Sequence, residues 1–374
     1  MKVLLINDQF DIYSSGGHWR TLNLAKGLYN LGLNVFLGTP FIKFSFDELR
    51  KIDASKLKPK LIKNNYLYHL INGIFPLKYG FSKENYSFIY IQLPMPITKG
   101  LCDILFKFRK IPTIIDFGDL WGFKNQKSYS SIIHDSFLKI ILNNSSFITV
   151  ASNDLKNYIK NSTHKNIFIL NNSVDCINEF NPDLYPKENE LYKKYRDKLI
   201  ITYSGTVSKS KNVDLIVELA RNLSRDILKN IIFLIIGDGP YLNEMKSSVK
   251  KLGLQESFHF TGFLYREQIP YYLRISNLGI VSLTKIKGGL IKLAEYMAMG
   301  VTPIVPAESW PSEHIKHGSN GIVVDKFEDI LKYIEIFYLK QEMLTKISQE
   351  ARNYALLNFD IRVVSKELLQ LIIK

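Results

Sequence analysis

Lys285-Ile286-Lys287-Gly288-Gly289-Leu290-Ile291-Lys292-Leu293-Ala294-Glu295-Tyr296-Met297-Ala298-Met299-Gly300 is the stretch whose reading decides the fold of this 374-residue chain. The paired glycines lead into a run in which Leu290, Leu293, Ala294, Met297 and Ala298 recur at helical spacing, and Gly300 ends it. The pattern predicts a short amphipathic helix with an open amino end. Free N–H groups there, with the positive end of the helix dipole, favour an anion, and Gly288 and Gly289 let a phosphate approach the backbone. Lys292 and Glu295 fall on a neighbouring face, the cation suited to a phosphate and the carboxylate to the paired hydroxyls of a ribose. These residue types point to a nucleoside diphosphate. A surface Lys–Glu pair on any helix of an α/β protein reads the same way, so the rest of the chain has to decide.

Outward from this segment, apolar runs of strand length recur. Ile280–Leu283 precedes it and Pro303–Val305 follows it, while Leu199–Tyr203, Ile231–Ile236 and Phe258–Gly262 lie upstream. The first half repeats the pattern at Val3–Ile6, Val35–Leu37, Ser87–Ile91, Pro112–Ile115, Phe147–Ser152 and Ile167–Leu170. Continuous apolar runs of this length are expected of parallel strands buried on both faces. Two rounds of strand–helix alternation predict two doubly wound domains. The polar stretch 181–198, with Pro182 and Pro186, reads as the linker between a domain over 1–180 and one over 199–355. A helical tail over 356–374 completes the chain.

In doubly wound folds ligands gather at the carboxyl ends of strands, and several sets of residues fall there. Gly16 and Gly17 follow the first strand, with His18, Trp19 and Arg20 next; two glycines in a loop also make an ordinary turn. Asp116, Asp119 and Trp121 follow the strand at 112–115, where two carboxylates and an indole suit a sugar, and where Asp116 or Asp119 also suits a helix N-cap. In the second half, Gly205, Lys209, Lys211, Gly237 and Gly262 occupy the corresponding positions.

Taken in order, these segments resemble retaining GT-B glycosyltransferases of family 4, the glycosyl transferase group 1 type. Lys292 to Gly300 with Val301-Thr302-Pro303-Ile304-Val305 resembles the donor-binding segment; Asp116-Phe117-Gly118-Asp119-Leu120-Trp121 resembles the Asp-x-x-Asp-x-Trp pattern of the acceptor cleft; Asn171 to Asp175 with Phe180 resembles the signature closing the first domain. The resemblance implies two Rossmann-like lobes with an interdomain cleft and a final helix crossing back to the first. It implies a nucleotide-diphosphate sugar as donor, held by Gly16, Gly17, Gly205, Lys209, Lys211, Gly237, Gly262, Lys287, Gly288, Gly289, Leu290, Lys292 and Glu295. His18, Trp19, Arg20, Asp116 and Trp121 would face the acceptor, and Lys211, Lys292 and Asp119 are the candidate catalytic groups. Two positions depart from the pattern. Thr206 stands where an arginine of the pyrophosphate clamp is usual, with Lys209 available to compensate, and Lys287 stands where a glutamate is usual. Two alternatives keep the same fold: a non-hydrolysing nucleotide-sugar epimerase and an inactive partner subunit.

A net charge of +14 and a pI near 9.4 favour an anionic partner. From Phe41 to Tyr86, lysines such as Lys43, Lys56, Lys60 and Lys78 alternate with aromatics such as Phe44, Tyr66, Phe75 and Phe81. The mixture suits lipid headgroups, single-stranded nucleic acid, or a helical excursion with solvated lysines. The resemblance favours a membrane surface and a glycan or lipid-linked acceptor over nucleic acid. Cys102 and Cys176 lack paired spacing, so neither a disulfide framework nor a zinc site is expected. No Asp-x-Asp metal motif is evident; neither cofactor nor obligatory metal is expected. Val3–Ile6 is too short for a signal-peptide core, which leads to the expectation of a cytoplasmic protein, peripheral at the inner membrane face.

Overall fold

A computed structural model describes residues 1–7, 16–38, 43–51, 79, 81–93, 103–118, 138–186, 188, 190–282 and 291–373. They form two compact units, one of residues 1–173 and 361–373, the other of residues 174–282 and 291–360. Both are α/β.

Among the described residues the first unit holds a seven-stranded sheet: β1 (Lys2–Ile6), β2 (Asn34–Gly38), β3 (Lys43–Ser45), β4 (Phe88–Leu93), β5 (Thr113–Phe117), β6 (Phe147–Val150) and β7 (Ile167–Ile169). Its order is β3-β2-β1-β4-β5-β6-β7, parallel throughout except for β3, which runs antiparallel to β2. The apolar runs predict strands covered on both sides, and β1 shows why. Val3 and Leu5 enter one core with Leu24, Ala25 and Leu28 of helix α1 (Gly16–Asn30), while Leu4 and Ile6 enter another with Phe106, Ile141 and Leu155. The tail helix Ile361–Ile373 adds Val364 and Leu368 to the first of these cores. It lies so close to α1 that a Cβ on Gly27 would stand 2.4 Å from the Ile361 carbonyl oxygen.

In the second unit, among the described residues, the six strands are β8 (Leu199–Ser204), β9 (Ile231–Ile236), β10 (Phe258–Gly262), β11 (Leu278–Ile280), β12 (Thr302–Pro306) and β13 (Ile322–Val324). All are parallel, in the order β10-β9-β8-β11-β12-β13. This is the doubly wound order, whose direction of winding reverses between β8 and β11. Helix α2 (Ile291–Ala298) follows β11 and is the helix predicted from the opening stretch.

The structure moves three expected boundaries. The units divide after Ser173 rather than at 180, and the tail joins the first unit from Ile361 rather than 356. Residues 181–198 are not a free linker: helix Glu190–Tyr195 lies within them, and Tyr195 is buried in the second unit's core beside Phe180. The strand expected at Ile280–Leu283 lies two residues earlier, where Leu278 and Gly279 pair with β8. Most of Phe41–Tyr86 lies outside the described residues. Among the described residues, no helix is long and apolar enough to cross a membrane.

Candidate functional site

β8 and β11 are neighbours at the switch point of the second sheet, and the segment leaving β8 meets the first turn of α2 there. Gly205 follows β8. Its N–H donates to the Ile236 carbonyl (2.9 Å), and the Gly237 N–H donates to the Gly262 carbonyl (3.1 Å), so the three predicted glycines stand in one file along the edge. Gly205 and Gly237 have φ of 139° and 134°, a region closed to most side chains. A Cβ on Gly237 would stand 2.1 Å from the Gly205 carbonyl oxygen. These glycines thus present backbone along the file.

Lys292, in the first turn of α2, reaches across this file. Its Nζ lies 4.2 Å from the centre of the Tyr203 ring and 3.0 Å from where a Cβ on Gly205 would be. Tyr203 is itself fixed, donating its hydroxyl to the Thr206 carbonyl at 3.0 Å. Burial, then repulsion from Lys211, lower the Lys292 pKa from 10.5 to about 7, with Glu295 acting in the opposite sense. Two amines drawn together in this way make a place that an anion would relieve. Lys209 is elsewhere: its amine pairs with Glu244 at 2.8 Å, both exposed, and lies over the Tyr241 ring. Thus the residue standing beside Gly205, next to Thr206, is Lys292 and not Lys209.

Glu295 lies one turn further along α2 and is buried. Its Oε1 accepts from Arg266 Nη1 at 2.6 Å. Arg266 also donates from Nε to Glu179 at 3.2 Å and lies over the Phe180 ring at 4.7 Å. Tyr296 locks the same helix to the sheet. Its hydroxyl accepts from the Ser204 N–H at 2.7 Å, and its ring fills the space beside Gly279. Sequence reasoning missed Arg266, Glu179, Tyr203 and Tyr296. Arg266 had one available signal, its place just past the carboxyl end of a strand.

In the first unit the corresponding switch point lies between β1 and β4. Gly16 and Gly17 open α1 there. Arg20 and Asp116, expected to face an acceptor, are 3% and 0% exposed and bonded to each other through Nε–Oδ2 and Nη2–Oδ1, both 2.8 Å. Arg20 further donates to the Leu170 carbonyl (2.8 Å) and Asn172 Oδ1 (3.0 Å), and Thr149 donates to Asp116 (2.7 Å). Buried to this degree, the pair ties α1, β5 and the end of β7 together, and Gly118 packs on Arg20 and Gln92 just above it. The expectation of two acceptor-facing side chains is thus corrected to a buried support. Trp19 is half-buried on α1. The side chain of His18, and Asp119, Trp121, Lys287, Gly288, Gly289 and Leu290, lie outside the described residues.

Residues 186–354, which hold every described donor-side residue of the second unit except Glu179 and Phe180, match the profile of glycosyl transferases group 1. That segment is similar to a group 1 glycosyltransferase domain. The chain is similar to an uncharacterized glycosyltransferase of Methanocaldococcus jannaschii, 25% identical over 250 residues, covering 66% of this chain and 62% of that protein. A 2-deoxystreptamine N-acetyl-D-glucosaminyltransferase of Niallia circulans is 23% identical over 264 residues, 65% of this chain and 64% of the relative. Each match spans less than two thirds of the relative's own length. The crystal structure of Anabaena HepE in complex with UDP superposes with a TM-score of 0.73 at 15% identity, over 100% of this chain and 99% of that one. At that identity the likeness is one of fold, and the two α/β units have the GT-B fold.

Proposed function

We propose that the protein transfers a sugar from a nucleotide-diphosphate sugar to a hydroxyl of a glycan, with retention of anomeric configuration. The observation that carries this reading is the file of Gly205, Gly237 and Gly262 with Lys292 standing over it, its pKa lowered by burial and Lys211. The diphosphate lies along the glycine file with Lys211 and Lys292 as its counter-charges, and Glu295 accepts from the ribose hydroxyls. HepE, similar in fold, has been crystallised with UDP and with UDP-glucose, which supports a nucleotide of this kind.

In this reading the bond between the anomeric carbon and the β-phosphate oxygen breaks as the acceptor oxygen bonds to the same face of that carbon. The acceptor proton passes to the departing phosphate oxygen. The two lysines neutralise charge that develops on the diphosphate, so a divalent metal is not required. Acceptor recognition belongs to the carboxyl edge of the first unit, where Arg20 and Asp116 fix the backbone. A lipid-linked glycan of cell-surface polysaccharide synthesis, met at an anionic membrane surface, accords with the charge of +14.

Purified protein incubated with a panel of nucleotide sugars tests the reading through release of nucleoside diphosphate, with and without glycan acceptors. Release from one donor at least is expected. Silence across the whole panel, including slow hydrolysis, would refute it.

A further inference from the structure

We infer that Arg266 is a positioning residue through which the second unit selects ribonucleotides over 2′-deoxyribonucleotides, an inference that rests on the ribose assignment of Glu295 made above. A carboxylate at the end of a glutamate side chain rotates freely unless one oxygen is held. Here Oε1 is held by Arg266 at 2.6 Å, and the arginine is 5% exposed. The guanidinium is immobilised in turn by Glu179 on Nε at 3.2 Å and by the face of Phe180 at 4.7 Å. Its fork geometry fixes direction as well as charge.

With Oε1 taken, Oε2 is presented in one orientation, as an ionised, acceptor-only oxygen. A ribose offers two neighbouring O–H donors to such an oxygen; a 2′-deoxyribose offers one. Lys292 and Glu295 lie one helical turn apart, roughly 5–6 Å between neighbouring side-chain bases. The diphosphate and the diol of one nucleotide are thereby matched by one helix, and the discriminating end of that match is set by an arginine 29 residues away in sequence. Loss of an ion pair that served stability alone would leave the ribonucleotide-to-deoxynucleotide ratio unchanged, and this difference is measurable.

The test is calorimetric titration with paired UDP and 2′-deoxy-UDP, GDP and 2′-deoxy-GDP, and ADP and 2′-deoxy-ADP. Wild-type protein is expected to prefer the ribo form of its cognate base on the order of 10- to 100-fold, the worth of a hydrogen bond to a charged group. Arg266→Met should reduce the preference to below about threefold by weakening the ribonucleotide while leaving the deoxynucleotide nearly unchanged. Arg266→Lys should recover part of the preference. If Arg266→Met weakens both forms equally and keeps the ratio while Glu295→Gln abolishes it, the inference is overturned and the ribose assignment stands. A full preference retained in Glu295→Gln overturns the ribose assignment, and the inference with it. Should Arg266→Met fail to fold, Arg266→Lys decides by the same ratio.

Discussion

Lys292 Nζ rests 4.2 Å above the ring of Tyr203, held there at a pKa of about 7 by burial and by Lys211. The aromatic face seats this amine without supplying a full counter-charge. That makes the protonation state of Lys292 responsive to a bound anion, and it has consequences for binding and for stability.

Nucleoside diphosphate affinity should fall as pH rises from 7 to 9. The free protein has lost the Lys292 proton over this range, and binding must restore it, so the bound pKa is higher than the free one. The steepest slope expected is roughly tenfold per pH unit, with uptake approaching one proton near pH 8. Calorimetry in buffers of different ionisation enthalpy measures that uptake. Lys292→Arg, which stays charged, should remove the dependence.

Lys292→Met should bind nucleotide poorly and yet unfold at a higher temperature at pH 6. The folded pKa of about 7 lies below the unfolded value of 10.5, so the unfolded chain holds more protons between them. Stability therefore rises with pH across 7 to 10.5 and is lowest below 7, where the buried amine is charged. The variant's gain at pH 6 should be on the order of 5 kcal/mol and should vanish near pH 10.5. Thermal unfolding at the two pH values, followed by circular dichroism, checks it.

Gly237→Ala should be far more damaging than Gly262→Ala. At Gly237 the new Cβ meets the Gly205 carbonyl oxygen at 2.1 Å with φ at 134°, whereas at Gly262 nothing lies within 4 Å and φ is 70°. The second change should cost about 1–2 kcal/mol from backbone strain alone. The first should exceed about 3 kcal/mol and abolish nucleotide binding. Urea unfolding of both variants orders them.

Acid should loosen the second unit before carboxylates are exhausted. His314 is wedged among Trp310, Tyr354 and Phe359, with ring centroids 4.8, 6.2 and 5.0 Å away, and burial lowers its pKa from 6.5 to about 4. Its contribution is complete above pH 6.5 and is lost as pH falls toward 4, amounting to roughly 2–3 kcal/mol. His314→Phe should flatten the stability profile in that window.

Turnover, once the donor is found, should stay within about twofold after exhaustive treatment with EDTA, because the lysines carry the leaving-group charge. A collapse that manganese or magnesium reverses would place a metal in the mechanism instead.

The sheets were legible in the sequence because buried parallel strands leave long apolar runs. Ile231–Ile236 is one such run, and its alternate residues enter opposite cores. Lys43–Ser45 and Ile322–Val324, three residues each at sheet edges, went unseen, whereas Ile167–Ile169, equally short and at an edge, was read from the apolar run that extends to Leu170. Residues 181–198 misled through composition: their charges describe the outward face, while Tyr195 and Leu191 face the core. Lys292 and Glu295 were legible from helical spacing. The partners that give them meaning, Tyr203, Lys211 and Arg266, are joined only by the fold.

The chain leaves the first unit after Ser173 and re-enters it at Ile361, and beside those points the Val174 N–H donates to the Phe359 carbonyl at 2.9 Å while the Asp360 carboxylate accepts from the Cys176 N–H at 3.1 Å. During synthesis this makes the second unit the earlier one to be finished, although it begins later. The core of the first unit lacks Val364 and Leu368 until the helix Ile361–Ile373 has emerged from the ribosome, so for that interval a finished donor-side unit is joined to an unsealed partner.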